Sequence, residues 1–253
     1  LSSPSTIEFR RLMECREKLE FSAQNLFDFR NALVKSAALS VDSFLENRNE
    51  FKSVGKLAIA QSLIPCEDEG KLLIGDRYDN LYKYLFNKLR SPLDKFVENK
   101  VRFITFNYDR SLEAFLFISL QNRYGLNRDQ CVAIVNAISI IHVYGKFDSL
   151  DWQDIDGRPY HPEYNADILI RASKGIKILS EGEKDTEELR IAYQYLTEAE
   201  IVFFLGFGYD TSNLDRLHII SACKENPKAV LGSALNIIGA ERSPIMGYFS
   251  KKG

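Results

Sequence analysis

The chain has 253 residues, of which 45% are hydrophobic, so it can bury the core of one large domain or two modest ones. Its 33 Lys and Arg residues nearly balance 35 Asp and Glu residues, and the formal net charge of -2 excludes a protein-wide field that attracts nucleic acid or anionic lipid. We therefore expect no direct nucleic acid binding. No apolar run approaches the roughly 20 residues that cross a bilayer, and the polar first residues lack the pattern of a secretory signal. These features predict a cytoplasmic globular protein without a membrane segment.

The cysteines show no spacing that is typical of a metal site. They lie far apart in the sequence, at Cys15, Cys66, Cys131 and Cys223. Structural zinc sites use paired ligands that are a few residues apart. The sequence therefore predicts free thiols in a reducing compartment and no bound metal.

Residues 1–98 are expected to be mainly helical, because apolar residues recur there at helical spacing. Residues 41–46 have the pattern of a short capped helix, and a second helix should cover residues 51–63 until Pro65 stops it. Helical apolar stripes of this kind usually face a core.

From residue 99 onwards, short apolar runs alternate with helical stretches, as in a parallel sheet with crossover helices. The expected strands lie at residues 101–106, 139–144, 175–179, 201–205 and 229–238. The expected helices lie at residues 110–122, 184–199 and 211–224. Residues 152–165 show no periodicity and should form a surface loop. The sequence thus predicts an α/β fold with a Rossmann-like parallel sheet, flanking helices and a helical module near the N-terminus.

The first expected strand leads directly into Asn107, Tyr108 and Asp109. In an open α/β sheet the ligand lies beyond the carboxyl ends of the strands, so these polar side chains are candidates for binding it. Two interpretations remain open. Asn107 and Asp109 can contact a ligand, or Asp109 can cap the following helix while Asn107 adopts a turn conformation.

Later strand ends carry a histidine and a pair of glycines. His142 ends the second expected strand, and Gly145 follows where a glycine lets the backbone approach a ligand. Gly206 and Gly208 lie between a strand and a helix, where backbone N–H groups can meet phosphate or ribose. Glu181, after another apolar run, could bond a ribose hydroxyl or be a solvated loop residue. Each signal also has a structural interpretation, since a single histidine is commonly structural and Gly-x-Gly is a common tight turn.

Taken together, the three strand ends resemble the sirtuin-like family. In chain order they read Asn-Tyr-Asp, His-x-x-Gly and Leu-Gly-Phe-Gly-Tyr followed by Asn-Leu, and the resemblance covers roughly residues 105–238. It implies a Rossmann-like domain with a small helical module, and nicotinamide adenine dinucleotide (NAD) bound across the strand ends. We therefore expect a single sirtuin-like domain over residues 1–253, with a mainly helical part at 1–98 and a Rossmann-like part at 99–253.

The resemblance also implies roles for individual residues. Asn107 and Asp109 match the motif that contacts the nicotinamide ribose, and His142 takes the place of the general base, so these three are the expected catalytic residues. The residues expected to bind NAD, with Glu181 added from its place after an apolar run, are Thr105, Tyr108, Gly145, Glu181, Gly206, Phe207, Gly208 and Asn213.

The chain departs from the deacetylase branch of that family at several places. Phe106 stands where that branch has Gln, and His142 lies two residues further from the following glycine. The zinc module with its two Cys-x-x-Cys pairs is absent. The first glycine is Gly55, already in helical sequence, so we interpret the family's first strand and its Gly-Ala-Gly-x-Ser phosphate loop as missing from this chain.

The family that the chain resembles builds the peptide groove for deacetylation between its Rossmann and zinc modules, so the absence of a zinc module favours hydrolysis. The expected function is therefore hydrolysis of NAD by water to nicotinamide and ADP-ribose, with NAD as the substrate and no metal. Shorter, zinc-free domains of this type resemble the NAD-depleting effectors of bacterial anti-phage defence. The alternatives are a non-catalytic module that senses NAD or ADP-ribose, and an NAD-dependent protein deacylase.

An enzyme that depletes NAD needs an inactive state, because its own cell depends on the cofactor. We expect activation by homo-oligomer formation, by a protein partner encoded nearby, or by both. The helical part carries aromatics beside charged residues, a mixture that suits protein contacts, at Phe27, Phe29, Tyr78 and Tyr82. The same aromatics could instead pack in the core of the domain.

Overall fold

The computed structural model describes residues 7–19, 21–38, 40–75, 80–89, 92–178, 186–233 and 239–250. The chain divides into two compact units, residues 1–182 and residues 183–253, and each is described by itself. The described residues form a mixed α/β structure that is mostly helical and contains two small parallel sheets of two strands each. Among the described helices, none is long and apolar enough to cross a membrane. The cysteines are free thiols, as predicted.

The first part of the chain is helical, as predicted. The described residues up to residue 98 form α-helices at Ile7–Glu14 (α1), Arg16–Leu19 (α2), Ala23–Lys35 (α3), Val41–Asn47 (α4), Lys52–Leu63 (α5), Glu69–Leu73 (α6) and Leu81–Lys88 (α7), and 3-10 helices at Asn49–Phe51, Ile64–Cys66 and Leu93–Glu98. The Ser40 hydroxyl caps α4 by accepting a hydrogen bond from the Ser43 N–H group, which confirms the predicted capped helix. After α5 the chain enters the 3-10 turn that holds Pro65, again as predicted.

Aromatic rings form the centre of this helical part. Phe29, Phe44 and Phe51 are buried, and their ring centroids lie 5.9 to 6.0 Å apart. Aromatic rings at this separation attract each other, and this attraction adds to the hydrophobic stabilisation from the surface area that they bury. The cluster ties α3 and α4 to the start of α5.

The aromatics that could serve protein contacts or the core have mainly the second role. Phe29 is buried, and Phe27 is half-buried with its ring centroid 5.6 Å from that of Phe9. Tyr82 is half-buried and stacks obliquely on a buried phenylalanine. Tyr78 lies outside the described residues. Activation by a partner or by self-assembly stays a prediction.

The remainder of the first unit contains the strands that position the candidate site. Its elements are, in chain order, Arg102–Thr105 (β1), Ser111–Tyr124 (α8), Arg128–Ala137 (α9), Ser139–His142 (β2) and Ala166–Gly175 (α10). β1 and β2 pair in parallel with Thr105 opposite His142. α10 packs against α5. A second core lies around α7, α8 and α9 and consists of Phe86, Phe96, Phe115, Leu116, Leu120, Leu126, Cys131 and Val135.

The loop between β2 and α10, which includes the predicted loop 152–165, is fastened by a buried arginine. Arg110 is fully buried, and its guanidinium donates to both carboxylate oxygens of Glu67 and to the carbonyl oxygens of Ser149, Arg158 and Pro159. These bonds use every N–H group that a guanidinium has. The Arg158 guanidinium also donates to Glu67, so one carboxylate lies between two buried cations.

The second unit is a smaller α/β structure. Its described elements are, in chain order, Glu187–Glu198 (α11), Ile201–Phe204 (β3), Thr211–Arg216 (α12), Ile219–Glu225 (α13), Ala229–Gly232 (β4) and Gly239–Ser250 (α14). β3 and β4 pair in parallel, with Ile201 opposite Ala229. The predicted strand 229–238 is confirmed up to Gly232, and residues 234–238 lie outside the described residues.

The predicted strands do not form one sheet among the described residues, and a full Rossmann sheet is not evident. The prediction of a strand at 175–179 is wrong for residues 175–178, and Leu179 lies outside the described residues. α10 continues through Gly175, and Ile176 forms only an isolated antiparallel bridge with Gly145. The alternating Ile-Lys-Ile sequence after α10 has the pattern of a strand, but a local pattern does not reveal whether a partner strand lies beside it.

The predicted helix at 211–224 is interrupted. α12 ends at Arg216 and α13 begins at Ile219, and His218 between them has a left-handed backbone with φ of 49°. A residue in that region breaks the right-handed helical path, since L-residues form left-handed turns only singly and at a cost.

Candidate functional site

The turn after β1 presents Asn107 to solvent. The Asn107 N–H group donates to Thr105 Oγ1 at 3.1 Å, and the Asn107 side chain forms no hydrogen bond with the described residues. The next residue, Tyr108, is buried, and its hydroxyl donates to Asp42 in α4. Burial and the charge of Asp42 raise the pKa of Tyr108 well above its ordinary value, so this phenol is an anchor and not an acid or base.

Asp109 is engaged with the start of α8. Its Oδ1 atom accepts a hydrogen bond from the Ser111 N–H group at 3.0 Å and another from the Ser111 hydroxyl. The N-cap residue of α8 is Arg110, which makes no side-chain cap hydrogen bond, so Asp109 forms an Asx-turn one residue before the cap. A catalytic contact of Asp109 stays a prediction.

His142 faces an oxygen atom at each of its ring nitrogens. Nδ1 lies 2.8 Å from the backbone carbonyl oxygen of Asn107, and Nε2 lies 3.0 Å from Glu113 Oε1. A carbonyl oxygen can only accept, so Nδ1 carries a proton. The histidine therefore holds the peptide group of Asn107 in place from the neighbouring strand.

Glu113 decides the protonation of the other nitrogen. Glu113 is 2% exposed, and burial by itself raises its pKa. Three effects lower the pKa more than burial raises it: the hydrogen bond from His142, the charge of His142 and the charge of Lys146. The pKa of Glu113 therefore lies below its ordinary value. The carboxyl group is therefore ionised, and the His142 Nε2 atom donates to it. Both ring nitrogens are thus engaged by protein oxygens, so neither is open to accept a proton from water in this arrangement.

Sequence reasoning missed Glu113, although the sequence carries a signal for it. Between Arg110 and Arg123 it is the only charged residue in the otherwise apolar or polar neutral sequence of α8. A single acid in a helix of this composition must find a cation or an N–H group when it is buried. Besides His142, Glu113 also pairs with Lys146, whose Nζ atom lies 3.4 Å from Glu113 Oε1.

Gly145 lies where two backbone segments come very close together. Its φ is 74°, and a Cβ atom on it would lie 2.1 Å from the carbonyl oxygen of Gly175. The glycine therefore lets two backbone segments approach closely. Binding of NAD at Gly145 stays a prediction.

We expect Gly145→Ala to lower the free energy of unfolding by about 2–5 kcal/mol, since it adds a backbone collision to the strain of a left-handed alanine. Gly125→Ala is the matched control. Gly125 has φ of 64° but nothing within 4 Å of the added Cβ, so only the strain of about 1–2 kcal/mol applies. Urea unfolding followed by circular dichroism measures both variants. Equal losses would contradict the role of the close approach.

The second unit carries four of the predicted NAD-binding residues. Gly206 has φ of 61°, donates its N–H group to Ser233 Oγ at 2.9 Å, and like Gly208 has nothing within 4 Å of an added Cβ. Phe207 packs against neighbouring aromatic rings. The Asn213 N–H group donates to Asp210 Oδ1, which caps α12. The role of these residues in binding NAD stays a prediction.

The structure brings together, in the first unit, the predicted residues Thr105, Asn107, Tyr108, Asp109, His142 and Gly145. Glu181 lies outside the described residues. The described residues contain no group of three or more His, Cys, Asp or Glu side chains that could hold a metal ion.

Comparisons with protein families, with curated proteins and with solved structures find no match for this chain.

Proposed function

We propose that the chain is an NAD hydrolase of the sirtuin-like type, which converts NAD and water to nicotinamide and ADP-ribose. The observation that carries the proposal is the exposed carboxamide of Asn107 at the carboxyl end of β1. The backbone of this residue is held by Thr105 on one side and by His142 on the other. Strand ends of this kind are where open α/β sheets bind their ligands.

The reaction breaks the bond between the nicotinamide nitrogen and C1′ of the ribose. The electron pair of that bond leaves with nicotinamide, the ribose becomes positively charged, and the oxygen of water forms the new bond to C1′ with release of one proton. A fixed carboxamide supports this step, because its oxygen accepts from a ribose hydroxyl or from water while its NH₂ group donates. In the proposal Asn107 is the residue that touches substrate.

His142 has a different role in this proposal from the one that the resemblance implies. Because both of its nitrogens donate, it positions the Asn107 peptide group, and the proton released from water passes to solvent. The charge of Asp109 supports the positively charged ribose if that carboxylate also faces the substrate, as the resemblance implies.

The biological role that we propose is depletion of NAD in anti-phage defence, inside the cytoplasm. An unrestrained enzyme would remove a cofactor that its own cell needs. We therefore propose that self-assembly, or a protein partner encoded nearby, switches the enzyme from an inactive to an active state. A ligand or partner must favour the active state by about 5.5 kcal/mol to move a population from 1:99 to 99:1.

The proposal is tested by incubating the purified full chain with NAD and quantifying nicotinamide and ADP-ribose over time. The assay is run across a dilution series, with and without the product of the neighbouring gene, and with and without a chelator. We expect equal amounts of the two products, a dependence on concentration or partner, and no effect of the chelator. Absence of both products under every condition would refute the proposal.

A second candidate function is a non-catalytic module that binds NAD or ADP-ribose and signals to a partner. The observation that favours it is the double hydrogen bonding of His142, which leaves no free base on this residue. Calorimetric titration with NAD separates the two functions. Binding without any release of nicotinamide supports the sensor.

A further inference from the structure

A chain of hydrogen bonds joins three elements at the turn after β1. Glu113 in α8 accepts from His142 at the end of β2, and His142 donates to the carbonyl oxygen of Asn107. The bonds are 3.0 Å and 2.8 Å long. A buried acid on one helix is therefore connected to the peptide group of the exposed Asn107.

The N–H group and the carbonyl group of Asn107 are both engaged, which fixes the backbone from which its side chain extends. The N–H group donates to Thr105, two residues earlier in the same segment. The carbonyl oxygen accepts from His142, which belongs to the neighbouring strand. Of these two bonds, only the second ties the turn to another element.

Stability alone does not explain a buried pair of this kind. Replacing a buried ion pair with well-packed apolar residues is often neutral or stabilising. What the pair supplies is orientation, because a carboxylate that accepts from Nε2–H fixes the ring and the proton on it. Nδ1–H is then aimed at the carbonyl oxygen of Asn107.

We propose that Glu113 is a positioning residue that acts through His142 to hold Asn107 in the orientation that NAD hydrolysis needs. The inference rests on the proposed function. In this role Glu113 does not touch the substrate, and it keeps both ring nitrogens of His142 as donors.

Two substitutions of His142 separate the two bonds. In His142→Asn the side-chain NH₂ group takes the place of Nδ1 and can still donate to Asn107. In His142→Gln it takes the place of Nε2 and can still donate to Glu113, but the bond to Asn107 is lost. The two variants are matched in chemistry and differ in which bond survives.

We expect kcat for NAD hydrolysis to fall about 10²-fold in His142→Gln, with KM little changed, because a misplaced Asn107 loses an interaction of the transition state. His142→Asn should stay within about tenfold of the wild type. A general base at His142 predicts instead that both variants lose activity equally, by about 10²- to 10⁴-fold. Equal losses therefore overturn the inference.

Two substitutions of Glu113, one conservative and one not, test the same inference and apply even if His142→Gln does not fold. In Glu113→Gln the amide can turn so that its NH₂ group donates to Nε2 of a neutral His142, which keeps Nδ1–H on Asn107. We expect this variant to retain activity within about tenfold, and Glu113→Ala to fall about 10²-fold. A similar loss in both contradicts positioning.

Hydrogen exchange at residues 105–109 of the free protein gives a readout that does not depend on activity. We expect the Asn107 amide to exchange roughly tenfold faster in His142→Gln and at the wild-type rate in His142→Asn, since only the first loses the bond that fastens the turn. If the wild type does not hydrolyse NAD, the proposed function fails, while this comparison still decides the positioning role. Equal exchange in the two variants overturns it.

Discussion

Asn107→Ala is expected to lower kcat for NAD hydrolysis by about 10²- to 10³-fold. Removal of one group that hydrogen-bonds the transition state typically has an effect of this size. The free energy of unfolding should change by no more than about 0.5 kcal/mol, since the lost carboxamide is exposed and both hydrogen bonds at this position come from the backbone. Nicotinamide release and urea unfolding measure the two quantities.

Asn49→Ala is the matched control for Asn107→Ala. Asn49 is also an exposed asparagine of the first unit, it lies in a 3-10 helix, and its side chain forms no hydrogen bond with the described residues. We expect its turnover to equal that of the wild type. Turnover of Asn107→Ala within about threefold of the wild type would remove Asn107 from the reaction.

The largest effect on stability is expected for Glu67→Gln. Glu67 is 1% exposed and lies between the guanidiniums of Arg110 and Arg158. Burial and the charge of Arg110 lower the pKa of Arg158, and the carboxylates of Glu67 and Asp148 oppose this shift. Removing the carboxylate leaves both cations buried with too little negative charge, and we expect a loss of about 3–5 kcal/mol in the free energy of unfolding.

Glu50→Gln is the control for this prediction, because Glu50 pairs with Arg48 at the surface. Exposed pairs of this kind contribute little to stability, because solvent screens the charges. In the double variant Glu67→Gln with Arg158→Met, removal of one cation should recover part of the loss. Urea unfolding measures the free energy of unfolding of the three variants. A loss in Glu67→Gln as small as that in Glu50→Gln would contradict stabilisation of the two arginines by Glu67.

Local sequence patterns predicted several of the elements correctly, although α9 and α10 were not predicted. The runs that became β1, β2 and β3 combine apolar residues with a clear stop, and residues 41–46 have the pattern of a short capped helix, which is α4. These features depend on neighbours in the sequence, which is why they could be predicted.

Features that depend on distant contacts could not be predicted in the same way. Which strands pair is decided by contacts across the fold, so the sequence could not separate one Rossmann sheet from two small sheets. Arg110 and Glu67 are 43 residues apart, and the sequence around either residue does not indicate that the two form a pair. The hypothesis placed the candidate site at Asn107 and His142 but did not include Glu113, because this partner of His142 comes from another element, 29 residues earlier in the chain.

The fastening of the loop between β2 and α10 has a consequence for how its sequence can change. Arg110 holds this loop through three carbonyl oxygens, which every amino acid carries in the same place, and through an ion pair with one loop side chain, Asp148. Side chains that point away from the arginine are therefore free to vary without releasing the loop. Ile155 is 98% exposed, and it offers a position for a cysteine and an attached fluorophore that would report on this loop while its backbone remains in place.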